Sequence, residues 1–336
     1  MSHASTAAST APESLQARLR PFQAPIEAHA LWQAASTFGL YAALVVAMYL
    51  SVRVSPWLTL VLAIPASGLI VRIFMFQHDC GHGSFFRSAR RNRLLGLLCS
   101  LVTLTPFAYW RRLHARHHGD WNDLDNRGIP ADFYSDCLTL AEYQALSRFG
   151  RWLYRVGHHP ALIHLLLPPV IFILLYRLPF DTPASCKSER RSVYALNLGL
   201  VLMFGTLVYL FGIETVLLVH LPAMALSAIM GIWLFSVQHR FENAQWFRKA
   251  EWTLADASLQ GSSYLKLPRL LRWFTADIGV HHVHHLRPAI PNYRLQDCHE
   301  ACQPMSVTTI SLGDALKAPS YVLWDEDRRC MVPFPA

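Results

Sequence analysis

Charge is what this chain has least of. Only 15% of its 336 residues are Asp, Glu, Lys or Arg, against about 25% in an average soluble domain, while 53% are hydrophobic. That balance excludes a soluble globular protein and marks an integral membrane protein. Other absences narrow the field. Met1 to Ala30 are rich in Ala, Ser and Thr and lack a basic segment followed by an apolar core and cleavage site, so a cleavable signal peptide is not expected. They read as a flexible lead-in, residues 1–30, with an amphipathic stretch from Leu15 to Pro25, before a single domain spanning 31–336. There is no internal repeat, no basic-aromatic nucleic-acid module and no fused haem-carrying domain, so any electrons are expected from a separate protein. The seven cysteines are odd in number and scattered from Cys80 to Cys330, which reads as reduced thiols rather than a disulfide framework. Cys298 and Cys302 flank His299, a spacing that a surface helix explains as well as a metal site does.

What is present begins with six apolar stretches: Leu31 to Val52, Pro56 to Phe76, Leu94 to Trp110, His159 to Leu178, Val193 to Gly212 and Ile213 to Val237. Spanning a bilayer takes roughly 20 apolar residues. The first, second, fifth and sixth stretches supply them. The third is shorter, and the fourth carries His159, His164, Pro168 and Pro169. Cytoplasmic loops collect Lys and Arg, and here Arg87, Arg90, Arg91 and Arg93 follow the second stretch, Arg111, Arg112 and Arg116 follow the third, and Lys187, Arg190 and Arg191 follow the fourth. The first two stretches are joined through Arg53 alone, and the last two through Phe211-Gly212-Ile213-Glu214 with no base. The expected fold is therefore an all-α integral membrane protein, with two transmembrane helical hairpins and a cytoplasmic helical cap carrying a histidine-rich di-metal site. Stretches three and four should lie in, or dip into, the cytoplasmic leaflet. The net charge of +8 then follows from positive-inside topology and anionic headgroups rather than nucleic acid.

Nine of seventeen histidines carry the chemistry. His78 and His82 lie in HDCGH, His114, His117 and His118 in HARHH, His281, His284 and His285 in HHVHH, and His239 alone in SVQHRFE. Side chains at i, i+3 and i+4 share one helix face, so each cluster can aim two or three imidazoles at one point. One zinc accepts about four ligands, so this many suits two metal ions. The chain has neither the HExxH of zinc proteases nor the Glu-x-x-His of soluble di-iron bundles. His282 points off the His281 side, as a ligand-supporting or surface residue. His164, His220 and His299 read as core histidines satisfied by backbone carbonyls, and His158 and His159 point about 100° apart. Each ligating ring needs an acceptor for its other nitrogen. Asp79 and Asp277 are the best candidates, ahead of Asp120, Asp123, Asp125 and Glu242.

HDCGHGSFF, HARHH and HHVHHLRPAIPNY, with SVQHRFE between the second and third, resemble the membrane fatty acid desaturases, especially the bacterial acyl-lipid type. The resemblance runs from Phe38 to Phe334 and includes LDNRGIPADFY and the tail LWDEDRRCMVPF. It implies a non-haem di-iron oxygenase of the bacterial inner membrane, its active site facing the cytoplasm, with two Fe2+ ions and molecular oxygen as co-substrate. By position, His78, His82, His114, His118 and His284 would hold one iron, and His117, His239, His281 and His285 the other. The implied partners are an acyl lipid or acyl thioester, the bilayer, and an external electron donor: a ferredoxin, flavoprotein or small cytochrome. Related acyl-CoA desaturases have an Asn one helical turn before the lone histidine; here Phe235 stands there, with Gln238 as the alternative. The implied reaction removes two hydrogens from adjacent methylenes to leave a cis double bond, with Phe85, Phe86, Tyr109 and Trp110 placed to meet the acyl chain.

Two rivals share parts of this pattern. A hydroxylase or ketolase acting on an alkane, sterol or carotenoid would use the same boxes. A multi-histidine metal transporter would instead place ligands at the bilayer midplane within its spans, whereas these clusters sit at span ends.

Overall fold

A computed structural model describes residues 14–128 and 136–335. The first half of the expected lead-in and residues 129–134 of LDNRGIPADFY lie outside those described. From Leu15 the lead-in is helical: α1, Leu15–Leu19, is capped by the Ser14 hydroxyl and buries Leu19 completely. Its Arg18 donates to the Gln303 carbonyl at 2.7 Å, which joins the start of the chain to the C-terminal part.

Four helices are long and apolar enough to cross a membrane: α2 (Glu27–Val52), α3 (Pro56–His82), and, beyond the intervening short helices, Lys187–Phe211 and Ile213–His239. They are the two expected hairpins. Pro56 opens α3 at its first turn, where its missing N–H is an orphan in any case. The helix then runs without a break to His82 and stops at Gly83, whose φ of +74° is left-handed and suits glycine. The second hairpin turns on Gly212 alone.

The two shorter stretches behave differently. The third is split into α4 (Ala89–Thr103) and α5 (Phe107–Asp120), which meet at 99°. Leu104 sits at the bend with φ +57°. Gln77 of α3 ties the bend down: it donates to the Thr105 carbonyl at 3.0 Å and accepts from the Thr103 hydroxyl at 2.7 Å. After α6 (Leu140–Ala145) and α7 (Arg148–Gly157), the fourth stretch is an irregular helix: π turns at Leu162–Leu166 and Val170–Leu174 around the short α8 (Leu167–Pro169), closed by a 3-10 turn at Leu175–Arg177. Pro168 and Pro169 each lack an N–H, and wider turns accommodate the lost bonds. α7 exposes Phe149, Trp152 and Leu153 beside Arg148 and Arg151, the composition of a helix lying in a membrane surface.

The long C-terminal hairpin is α9 (Lys187–Phe211) and α10 (Ile213–His239). α3 is the buried member of the bundle, packed by α2, α4 and α10. α2 and α9 instead turn Trp32, Leu50, Val201, Leu202 and Tyr209 outward. Large apolar side chains covering a whole helix face in this way need lipid around them.

The cap comprises α11 (Leu254–Gln260), α12 (Arg269–Phe274), α13 (His281–Leu286), α14 (Asn292–Ala301) and α15 (Leu312–Ala315). Five short strands, which the helical reading did not include, brace it. β1 (Leu138–Thr139) pairs in parallel with β4 (Leu323–Asp325), which pairs antiparallel with β5 (Cys330–Val332), while β2 (Tyr264–Leu265) pairs in parallel with β3 (Thr309–Ile310). The tail motif LWDEDRRCMVPF is thus a hairpin that fastens the chain end onto the loop after α5.

Candidate metal centre

Three helix ends and one short helix deliver the nine histidines. α3 brings His78 and His82 in its last two turns, α5 brings His114, His117 and His118 in its last two, and α10 ends on His239 itself. The short α13 supplies His281, His284 and His285 and is buried throughout. The rings fall into two groups. His78, His82, His114, His118 and His284 form one, and His117, His239, His281 and His285 the other; within each, the nitrogens lie within 4.8 Å of one another. The groups are adjacent, since His118 and His285 stack at 4.3 Å between ring centroids.

The nitrogen spacings test whether a metal fits. In the first group Nε2 atoms meet in series: His82 to His114 at 3.0 Å, His114 to His118 at 3.1 Å, His118 to His284 at 2.9 Å. In the second, His239 to His281 is 2.9 Å and His281 to His285 is 3.1 Å. A neutral imidazole nitrogen is either one donor or one acceptor, so hydrogen bonding can account for at most alternate contacts in each series. A cation among the lone pairs satisfies all of them. Two nitrogens each about 2.1 Å from one metal, at right or tetrahedral angles, are themselves roughly 3.0–3.4 Å apart. The groups fit two metal ions.

The surroundings hold the rings in the ligating state. His284 and His285 are kept well below the ordinary imidazole range, first by burial and then by the charge of neighbouring histidines. A neutral ring offers its lone pair. Asp79 Oδ1 lies 3.1 Å from His78 Nδ1, and its other oxygen accepts from Asn292 twice, backbone at 2.7 Å and side chain at 2.8 Å. Gln33 of α2 in turn donates to Asn292 Oδ1 at 2.9 Å. This buried line, α2 to α14 to α3, fixes the orientation of His78. On the other side, His239 Nδ1 faces the Gly261 carbonyl at 3.3 Å rather than Glu242. Gly261 cannot carry a side chain without a local shift, because a Cβ there would lie 1.8 Å from Asn122 Nδ2.

Several expected supporting residues stand elsewhere. Asp277 accepts from Arg272 at 2.6 Å. Asp123 and Asp125 pair with Lys249 and Arg248, stitching the loop after α5 to the segment after α10. Asp120 lies at the end of α5. His282 is fully buried, which removes the surface alternative, and its Nε2 meets His299 Nδ1 at 3.0 Å, outside both groups. That contact and the Gln303 side-chain amide, not a backbone carbonyl, are the partners of the His299 ring, and His220 meets the Tyr49 hydroxyl at 3.1 Å. Gln238 spends its amide on the Ile278 carbonyl, and Phe235 packs 5.1 Å from His117. Asn292 and Gly261 were not singled out beforehand; the Asn of PAIPNY was the one available signal.

Beside the histidines lies an apolar cavity of about 350 Å³, within the usual range of ligand sites. His78, His114, His117 and His281 form part of its wall, as do Leu104, Met224 and Ser227 of the membrane helices and their bend and the partly exposed Phe180 and Asp181. Tyr109 and Trp110 line it as expected. Phe85 and Phe86 do not; they pack with Phe76 and Phe107 in a separate core, because Gly83 turns the chain back before them.

The family model for fatty acid desaturases matches residues 55–309, well over half of the chain and inclusive of all nine histidines. The chain belongs to the fatty acid desaturase family. A Bacillus subtilis fatty acid desaturase is 38% identical to it over 96% of this chain and 90% of its own length. An sn-1 oleoyl-lipid 12-desaturase from Synechocystis is 27% identical over 75% of this chain and 70% of its own. An sn-1 acyl-lipid omega-3 desaturase (ferredoxin) from Nostoc is 28% identical over 69% and 64%. This chain is a membrane-embedded fatty acid desaturase, and its histidine groups and apolar cavity share one wall.

Proposed function

We propose that this desaturase introduces a cis double bond into a fatty acyl chain carried on a membrane lipid, consuming molecular oxygen and electrons from a separate ferredoxin-type donor. The reaction converts one CH2–CH2 unit, one O2, two electrons and two protons into one CH=CH unit and two waters. The observation that carries this reading is the shared wall: His78, His114, His117 and His281 line the apolar cavity while belonging to both histidine groups. His78, His82, His114, His118 and His284 would hold one iron, and His117, His239, His281 and His285 the other. Two bound irons supply the reductive activation of oxygen, for which no protein side chain has the redox chemistry.

The chain's own residues do the rest. Phe74, Met75, Trp110 and Leu113 exclude water from the cavity beside the histidines, so the acyl chain replaces only apolar contacts. Methylenes along a chain are chemically near equal, so selection rests on which pair the cavity holds against His78 and His117. Leu104, Met224 and Ser227 limit how deep the chain end passes. Arg91, Arg116, Lys187 and Arg191 cluster on the side of the membrane that bears the histidines, which supports a cytoplasmic site in an inner membrane. The relatives' names support an acyl-lipid substrate and a ferredoxin donor.

The test is expression in a host lacking polyunsaturated lipids, with double-bond localisation in the recovered fatty acids and metal analysis of the purified protein. Loss of two hydrogens with about two irons per chain is expected. Gain of one oxygen in the product would make the enzyme a hydroxylase, and activity restored by zinc alone would overturn the oxygenase chemistry.

A further inference from the structure

The two histidine groups differ in exposure. His117, His239, His281 and His285 are all buried, whereas His82 and His118 of the other group reach partial exposure. Around those two rings the surface is stripped of bulk. Gly81 and Gly83 flank His82, and Ala115 and Gly119 flank His118, all four at least partly exposed. It is also predominantly basic. Segments 81–93, 111–119 and 281–296, which carry His82, His114, His118 and His284, together contain nine arginines and no Asp or Glu; of the acids next to them, Asp79 is buried against His78 and Asn292, and Asp120 and Asp297 lie just beyond the ends.

Some of those arginines are committed: Arg91 pairs with Glu27, and Arg294 holds the Pro21 carbonyl. Arg111 and Arg287 have no ion-pair partner among the described residues and are exposed. Arg111 lies on the same α5 stripe as Ala115 and His118, at i, i+4 and i+7, and its Cγ is 3.6 Å from where a Gly81 Cβ would be. Arg287 is the first residue after α13, two positions beyond His285. One guanidinium without an ion-pair partner thus stands beside Gly81, next to His82, and a second follows the helix that carries His284. A surface this basic and this free of side-chain bulk lets another protein come close to the rings and rewards negative charge on it.

Resting on the oxygenase reading above, we propose that the face around His82 and His118, with Arg111 and Arg287 at its rim, is where the electron donor docks, and that the donor is a small acidic one-electron carrier. Each docking oxidises one donor and passes one electron to the metal pair, so two dockings accompany each double bond. Electrons enter through the group of five histidines. The four-histidine group, buried on all sides, receives them from its neighbour.

The experiment uses the full chain loaded with iron in phosphatidylcholine nanodiscs, with an acidic [2Fe–2S] ferredoxin as the probe. Arg111→Glu and Arg287→Glu should each raise the ferredoxin KM about tenfold at low salt, while product from a single turnover of dithionite-reduced enzyme stays within about twofold of wild type. Wild-type KM should rise with ionic strength, and the double variant should lose that dependence. Arg328→Glu, in the turn between β4 and β5, should behave as wild type. A KM unmoved by either reversal and flat with salt overturns the docking face. So does an equal loss of single-turnover product, which would make these arginines structural, and so does an effect confined to anionic nanodiscs, which would assign them to lipid headgroups. If the reversals fail to fold, Arg111→Gln with Arg287→Gln and the wild-type salt series decide the matter. Absence of single-turnover product from the wild type itself would instead sink the oxygenase reading.

Discussion

The Gly261 carbonyl oxygen lies 3.3 Å from His239 Nδ1 and accepts the Trp121 indole N–H at 3.0 Å. With Nδ1 held as the donor, the lone pair of His239 sits on Nε2, 2.9 Å from His281 Nε2. His239→Ala should therefore leave the protein folded in detergent while lowering its iron content and removing desaturation. His282→Ala should retain substantial activity, since that ring is turned to His299. Near-normal product and two irons in His239→Ala would remove it from the ligand set.

Gly261→Ala tests the same contact from the backbone. The added methyl would sit 1.8 Å from Asn122 Nδ2 and 2.6 Å from the Ala257 carbonyl, so the strand of chain must shift and take its carbonyl away from His239. Overpacking of this kind destabilises by roughly 1–3 kcal/mol. A lower melting temperature with preferential loss of one of the two irons is expected; unchanged iron content would mean that the carbonyl does not set the ring.

Asp79→Asn keeps the shape of the buried line from Gln33 through Asn292 to His78 but removes its charge. Loss of such a ligand-orienting carboxylate lowers metal affinity by about 10–100-fold. Chelator competition reads this directly. Asp277→Asn, whose carboxylate serves Arg272, should leave affinity within about twofold.

Topology follows from the same helices. A tag between Ser51 and Pro56 or beside Gly212, at the two hairpin turns, should be reached by an impermeant reagent from outside, and tags near Arg91, Lys187 and the C-terminus should not. Labelling at Lys187 from outside would mean that the irregular helix crosses the bilayer.

One pH effect has a clear sign. Glu142 is pulled from 4.5 down to about 2, chiefly by its hydrogen bonds from Arg127. A depressed carboxylate contributes stability that is present above about pH 4.5 and is lost as pH falls toward 2. The pair is partly solvated, so the contribution is small. Wild type should lose melting temperature faster than Glu142→Gln across that window, and parallel curves would show that the pair contributes nothing.

The membrane hairpins were legible because roughly 20-residue apolar runs and arginine asymmetry are local properties of a sequence. The bend at Leu104 was visible only as a short stretch, since its geometry depends on Gln77, twenty-seven positions away and indistinguishable in sequence from any other glutamine. The box histidines announced themselves through i, i+3, i+4 spacing, and the two sets they fall into came from the family resemblance. Their supports were half legible. Asp79 adjoins His78, so proximity in sequence found it, while Asp277 stands four residues before His281 and is turned to Arg272 by the positive φ of Ala276 and Asp277. The β-strands, two or three residues each, are shorter than any periodicity can reveal.

α3 runs as 27 residues, which is about 40 Å of helix against roughly 30 Å of hydrocarbon. Starting from the turn at Ser55, its last two turns therefore stand at the depth of the lipid headgroups, and His78 and His82 with them. The methylenes of a lipid chain lie deeper. To present one to His78 the enzyme must draw the chain upward, against the tendency of every methylene to stay in oil, a preference of about 0.8 kcal/mol each. The apolar wall from Met224 to Trp110 makes that ascent nearly level: it extends the interior of the bilayer into the cap, so that the substrate is lifted without being wetted.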